Sequence, residues 1–157
     1  MTTMMKKFLF GLLLILVSIQ FIRPTKNSGP APSPNDIQLR LLPSQQIRGL
    51  LENACYDCHS NHTTYPWYAQ VQPFGWWLAN HVNEGKRHLN FSDFSKLAPK
   101  RAVRKLQQAA DELNEEEMPL TSYKLTHPAA RLTDAERKTL ADWFIAVRST
   151  YPAEELK

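Results

Sequence analysis

The stretch Cys55-Tyr-Asp-Cys58-His59 constrains this chain more than any other feature. Its thiols are the only two in 157 residues, and an imidazole directly follows the second. Such a cluster suits dithiol redox exchange, half of a metal site, or attachment of haem through two thioether bonds. Each demands something different of the fold. A thioredoxin-like pair needs a βαβ setting. A structural zinc site needs ligands from a second element, whereas Cys55, Cys58, His59 and His62 crowd into one short turn. A disulfide between cysteines this close would staple little chain. Haem attachment needs only a helix end that offers both thiols to one porphyrin edge, with the next residue placed under the iron.

The rest of the domain reads as helices joined by turns, with no alternating β-pattern of useful length. Ser44 can cap a helix whose stripe is Ile47, Leu50, Leu51, Ala54 and Cys58. Phe74, Trp77, Leu78, His81 and Val82 form a second stripe. Pro99 opens a third helix carrying Val103, Leu106, Ala110 and Leu113, which should end near Asn114 because Glu115 to Glu117 would oppose its dipole. Thr133 and Glu136 form a capping box for the last helix, with Leu140, Trp143, Phe144 and Val147 on its apolar face. The predicted fold class is all-α. That frame removes the thioredoxin-like alternative and favours haem.

Upstream, Lys6 and Lys7 precede the apolar run "FLFGLLLILVSIQFI" from Phe8 to Ile22. A basic start and an apolar core imply export of the downstream chain. The run is shorter than the roughly 20 residues of a full span. It lacks a small-residue cleavage site, since Ser18-Ile-Gln20 ends in Gln, and no cysteine precedes Cys55 for lipid modification. The expectation is an uncleaved anchor over residues 1–22, inner-membrane bound, with the domain on the periplasmic side of the cell envelope. Residues 23–35, with prolines at 24, 30, 32 and 34, are expected to be an extended, solvated linker. The folded domain is then 36–157.

A closed haem iron needs a ligand opposite His59. Met118 is the only methionine within the domain; it sits in "EEEMPLTSY", outside any apolar stripe, where Pro119 stiffens the chain. A thioether there would raise the reduction potential. His81, on the apolar face of the second helix, is the alternative and would give a bis-histidine centre. His62 is too near the attachment turn, and His127 precedes Pro128 in an expected surface turn. Trp67, Tyr68, Trp76 and Trp77 are expected to wall the haem pocket, with Tyr123 also a pocket candidate.

The stretches "CYDCHSNHTTYPWYAQVQPFGWWLANHVNEGKRHLNFSDF" and "EEMPLTSYKLTHPAARLTDAERKTLADWF" resemble the haem-binding domain proteins, a small family of exported, commonly membrane-anchored proteins with one c-type motif. More distantly, the layout is similar to class I cytochromes c. The resemblance implies a cytochrome c-like fold around one covalent haem c, with Cys55 and Cys58 as thioether residues and His59 as proximal ligand. It also implies Met118 as the distal candidate and Trp143 as a packing residue between terminal helices. The segment from Tyr65 to Phe94 departs from a minimal cytochrome c and leaves the role of His81 open.

Two strong ligands would close the iron and leave one-electron transfer with a redox partner protein, so the chain is expected to be a carrier rather than an enzyme. The alternative is a haem-based sensor, small-ligand binder or weak peroxidase with a displaceable distal ligand. The net charge is +4. Lys86, Arg87, Lys96, Lys100, Arg101, Arg104 and Lys105 cluster, while Asp111 to Glu117 is acidic. Such bias can orient a redox partner or meet anionic lipid. An exported domain is not expected to meet nucleic acid.

Overall fold

The computed structural model describes residues 2–152; Met1 and the last five residues of the expected domain lie outside the described residues. Eight α-helices run in order: α1 Thr3–Ile19, α2 Ile37–Leu41, α3 Gln45–Ala54, α4 Tyr56–His59, α5 Phe74–His88, α6 Pro99–Asn114, α7 Thr121–Thr126 and α8 Asp134–Arg148. Short 3₁₀ turns at Trp67–Gln70, Phe91–Lys96 and Pro128–Ala130 link them. Among the described residues there is no strand, only an isolated bridge between Ser28 and His62. The fold is all-α.

The helix ends arise from local chemistry. Ser44 Oγ accepts from Ile47 N–H and starts α3. Thr133 and Glu136 bond each other's backbone in a complete capping box at α8. Pro99 opens α6, which ends at Asn114 as its charge pattern predicts. The turn after α6 uses Glu116 at φ 61°, a left-handed position where glycine is favoured. Leu106, Ala110 and Leu113 of α6 meet Leu140, Phe144 and Val147 of α8, and Ile47, Leu50 and Leu51 of α3 complete the core.

Several expectations need correcting. The stripe beginning at Ile47 stops at Ala54: Cys55 leaves helical geometry (φ −129°, ψ −42°), and the motif forms its own short turn, α4. On α5 the buried side chains are Gly75, Leu78 and Val82, while Phe74 and Trp77 face solvent. Leu78 and Val82 of the predicted stripe are packed, whereas its Phe74 and Trp77 are not.

The proline-rich segment is not a solvated spacer either. Asn27 Nδ2 donates to the Ser60 carbonyl and to Thr63 Oγ1, both at 2.9 Å. Gly29 N–H donates to the Asn61 carbonyl at 2.7 Å, Thr63 N–H donates to the Asn27 carbonyl at 3.0 Å, and Ser33 is buried. Backbone groups that proline density leaves unpaired locally find partners in the loop after the motif.

The N-terminal segment forms α1, Thr3–Ile19, with no buried residue. No helix among the described residues is long and apolar enough to cross a membrane.

Candidate functional site

The α4 turn is fastened from three sides. From α2, wholly buried Asp36 accepts the Tyr56 hydroxyl at 2.5 Å. From α7, the Tyr123 hydroxyl donates to Asp57 Oδ2 at 2.8 Å, while Asp57 Oδ1 accepts from Thr64 N–H at 2.8 Å. From α5, Gly85 passes so close that a Cβ there would stand 2.6 Å from the Cys58 carbonyl oxygen. The two middle residues of the motif, Tyr56 and Asp57, are therefore its structural anchors.

His59 is oriented by the end of α5. Its Nδ1 lies 2.9 Å from the Leu89 carbonyl. A carbonyl only accepts, so Nδ1 carries the proton and the lone pair of the neutral ring is on Nε2. Burial pulls the imidazole below its usual range, only partly opposed by the Leu89 and Gly85 carbonyls. The ring is thus neutral at pH 7, with Nε2 ready to ligate a metal.

Burial, with Cys58 second, pushes the Cys55 thiol up to about 12. Burial, with Asp57 second, pushes Cys58 up to about 11. Both cysteines are free in the structure. Thiols this weakly acidic are poor thiolate nucleophiles, the opposite of a redox-exchange pair.

These groups face a cavity of about 470 Å³, within the roughly 300–1,000 Å³ of cofactor clefts. Cys55, Cys58, His59, His81, Met118 and Tyr123 all line it. Phe91 backs it, stacked between Tyr56 (5.4 Å between centroids) and Phe144 (6.1 Å). On the α5 side lie Glu84 and His88, and on the α6 side Lys105, Gln108 and Glu112.

Met118 is brought there by the turn at Glu116, its N–H donating to the Glu112 carbonyl at 3.2 Å. His81 Nδ1 donates to the Trp77 carbonyl at 2.9 Å. Trp67 and Trp77, expected as pocket walls, do not line the cavity; both are exposed, and Trp77 instead lies against His81 with tilted rings, 4.3 Å between centroids. His62 Nδ1 bonds the Gly29 carbonyl at 3.1 Å, and His127 stacks on Tyr123 at 4.0 Å.

Sequence reasoning missed Gly85 and the Leu89 carbonyl. A glycine in mid-helix is a legible signal, because it costs about 1 kcal/mol against alanine unless close approach requires it. The Leu89 carbonyl had no signal, since any residue supplies one.

The donor set fits haem. A neutral imidazole with Nδ1 already engaged, two thiols beside it and an aromatic, largely apolar wall meet in one cleft. It does not fit a bare ion: among the described residues no three His, Cys, Asp or Glu side chains gather to hold one. A family model described as a haem-binding domain matches residues 14–146. No curated protein and no solved structure matches the chain. The family match begins inside α1 and ends inside α8, spanning the whole cavity, and the chain belongs to the haem-binding domain family.

Proposed function

We propose that the chain is a c-type haem protein acting as a membrane-tethered one-electron carrier in the cell envelope, its haem domain on the periplasmic side. Cys55 and Cys58 would hold one haem through thioether bonds, His59 Nε2 would be the proximal ligand and Met118 the distal one. When bound, haem supplies a reversible one-electron change at iron. The chain's own residues do the rest. The Leu89 carbonyl orients His59, Phe91 and Phe144 exclude water, and Met118 closes the face that a substrate would need.

The observation that carries this reading is that the two thiols and the oriented imidazole of the α4 turn and Met118 from the segment after α6 line one cavity. Met118 is favoured over His81 because His81 sits on α5, the helix whose end already holds His59. Eight residues separate His81 from Leu89, about 12 Å of helix. The tether is supported by hydrogen bonds from Gln20, Ile22 and Arg23 into the domain, which tie the end of the apolar segment to the fold.

A second reading, a sensor or small-ligand binder with a displaceable ligand, or a weak peroxidase, is favoured by one observation: His81 also lines the cavity, its Nδ1 engaged by the Trp77 carbonyl. Spectra of wild type and Met118→Ala side by side decide between them. The carrier reading expects a red sulfur-to-iron charge-transfer band in the ferric wild type. It expects that band to vanish in Met118→Ala, which gains CO binding while the haem stays attached. An unchanged low-spin spectrum in the variant moves the ligand to His81. A high-spin wild type removes the carrier.

A further inference from the structure

One corner of the domain exposes side chains that globular surfaces usually cover. Trp67 is 79 % exposed, Phe74 56 %, Trp77 44 % and Val71 41 %. Phe74 and Trp77 are three positions apart on α5 and share a face. Trp67 and Val71 flank the 3₁₀ turn that leads into that helix.

The same corner receives the end of α1. The Gln20 amide donates to the Gln72 carbonyl at 3.0 Å, and its oxygen accepts from Gln72 N–H at 2.9 Å. Arg23 Nη1 donates to the Gln70 carbonyl at 2.8 Å, and Trp76 Nε1 donates to the Ile22 carbonyl at 2.8 Å. The platform is rigid. Gln72 is buried and its side-chain oxygen accepts from Trp76 N–H, while a Cβ at Gly75 would meet the Ala69 carbonyl oxygen at 2.6 Å. Between α1 and the patch, Phe21 and Ile22 are also exposed.

We propose that this corner is a membrane-docking surface. Trp67, Val71, Phe74 and Trp77 sink into the headgroup region of the bilayer that α1 enters, holding the domain against the lipid in one orientation. The docking rests on the tether in the proposed function.

Three observations select lipid as the occupant. First, α1 has 17 residues, a rise of about 25 Å against a hydrocarbon core of about 30 Å. The patch extends the apolar surface past the helix end, where the shortfall falls. Second, tryptophan is the residue type that favours the membrane interface. Third, exposed Arg23 and Lys26 stand just after the helix end, suited to anionic headgroups. A protein docked on this corner would have to share it with the lipid around α1. The consequence is a fixed reach: the patch lies at the start of α5 and His59 is bonded to its far end, separated by about 22 Å of helix.

The test uses the full-length protein in phosphatidylcholine–phosphatidylglycerol vesicles, with photoreactive p-benzoylphenylalanine placed in turn at Leu13, Val71 and Ala146. Irradiation followed by mass spectrometry should find lipid adducts at positions 13 and 71 and none at 146, an exposed position on α8. Adducts at 13 without adducts at 71 overturn the docking and leave the tether standing. No lipid adduct at either overturns the tether as well. Crosslinks from 71 to a second copy overturn the docking in favour of self-association. Trp67→Ser with Phe74→Ser, both at exposed sites, should leave the melting curve and the position-13 yield unchanged and cut the position-71 yield several-fold. An unchanged position-71 yield overturns the assignment to these side chains.

Discussion

Asp36 uses its two oxygens unequally. Oδ1 accepts from Gln38 N–H at 2.9 Å and from the Tyr56 hydroxyl at 2.5 Å, while buried Oδ2 has no hydrogen-bond partner. One side chain therefore caps α2 and anchors the first residue of the motif turn. Burial, and then the bond to Asp36, push the Tyr56 hydroxyl far above its usual range, so it remains a donor. Asp36→Ala removes a cap, worth about 1 kcal/mol, and orphans a half-buried hydroxyl, worth about 1–3 kcal/mol. The expected loss is about 2–4 kcal/mol in urea unfolding. Asp36→Asn keeps an acceptor for both donors and should lose less.

Asp93 holds the other end of the motif. Its hydrogen bond from Lys96, and then one from Asn61, hold its carboxyl below the usual carboxylate range. A depressed folded value means the stabilisation is present above the unfolded pKa, near 4, and is lost as pH falls through the lower folded value. Melting midpoints measured from pH 5 to 2.5 should therefore fall less in Asp93→Asn than in wild type. The difference should be small, because the pair is largely exposed. Neither aspartate was legible in the sequence: Asp36 stood at the end of an apparent linker, and a buried carboxylate is defined by distant neighbours such as Tyr56.

At the scale of elements, legibility followed local chemistry. α3, α6 and α8 were readable because Ser44, Pro99 and the Thr133–Glu136 pair write their starts into the sequence. The buried side of α5 was readable in part: Leu78 and Val82 pack as the stripe predicts, but apolar spacing does not say that Phe74 and Trp77 stay uncovered. Exposed tryptophan and core tryptophan look alike in a sequence.

Where α5 crosses the motif, Gly85 is the contact. The Cys58 backbone cannot yield as a flexible side chain would, so Gly85→Ala should lift the helix from the turn. Overpacking costs about 1–3 kcal/mol, less a helix-propensity gain of up to about 1 kcal/mol. A lowered melting midpoint together with reduced haem attachment is the expected outcome, because the Leu89–His59 bond depends on that approach. The end of α6 offers the opposite case. Glu116 at φ 61° carries a Cβ where none is favoured, so Glu116→Gly should gain about 1 kcal/mol, seen as a midpoint a few degrees higher. Its 3.9 Å pair with Arg137 is mostly exposed on the Glu116 side and should subtract little.

For the whole molecule, the cavity and the core share walls. Ala54, Leu113 and Phe144 belong to both, so the cofactor site is a cleft that cuts into the core. Cys55, Cys58 and His59 were readable as a set because they fall within five residues of sequence. The far wall was not, because Gln108, Glu112 and Tyr123 reach it only after α6 and α7 have packed. Leaving about 470 Å³ without cofactor would, at about 24 cal/mol per Å³, cost up to about 11 kcal/mol. That figure is a ceiling, since solvent can enter an open cleft, yet it matches the entire stability of a typical domain, about 5–15 kcal/mol.

The chain without haem should therefore keep its capped helices and lose the packing of α6 and α8 around Phe91 and Phe144. Cys55→Ala with Cys58→Ala, which removes both thiols of the proposed attachment, should show near-native far-UV circular dichroism, a collapsed near-UV signal and binding of a hydrophobic dye. Cys58→Ala alone would, on the proposed attachment, keep one thioether and a filled cavity, and should unfold as one cooperative unit. A double variant as well packed as wild type would mean that the helices, not the cofactor, complete the core.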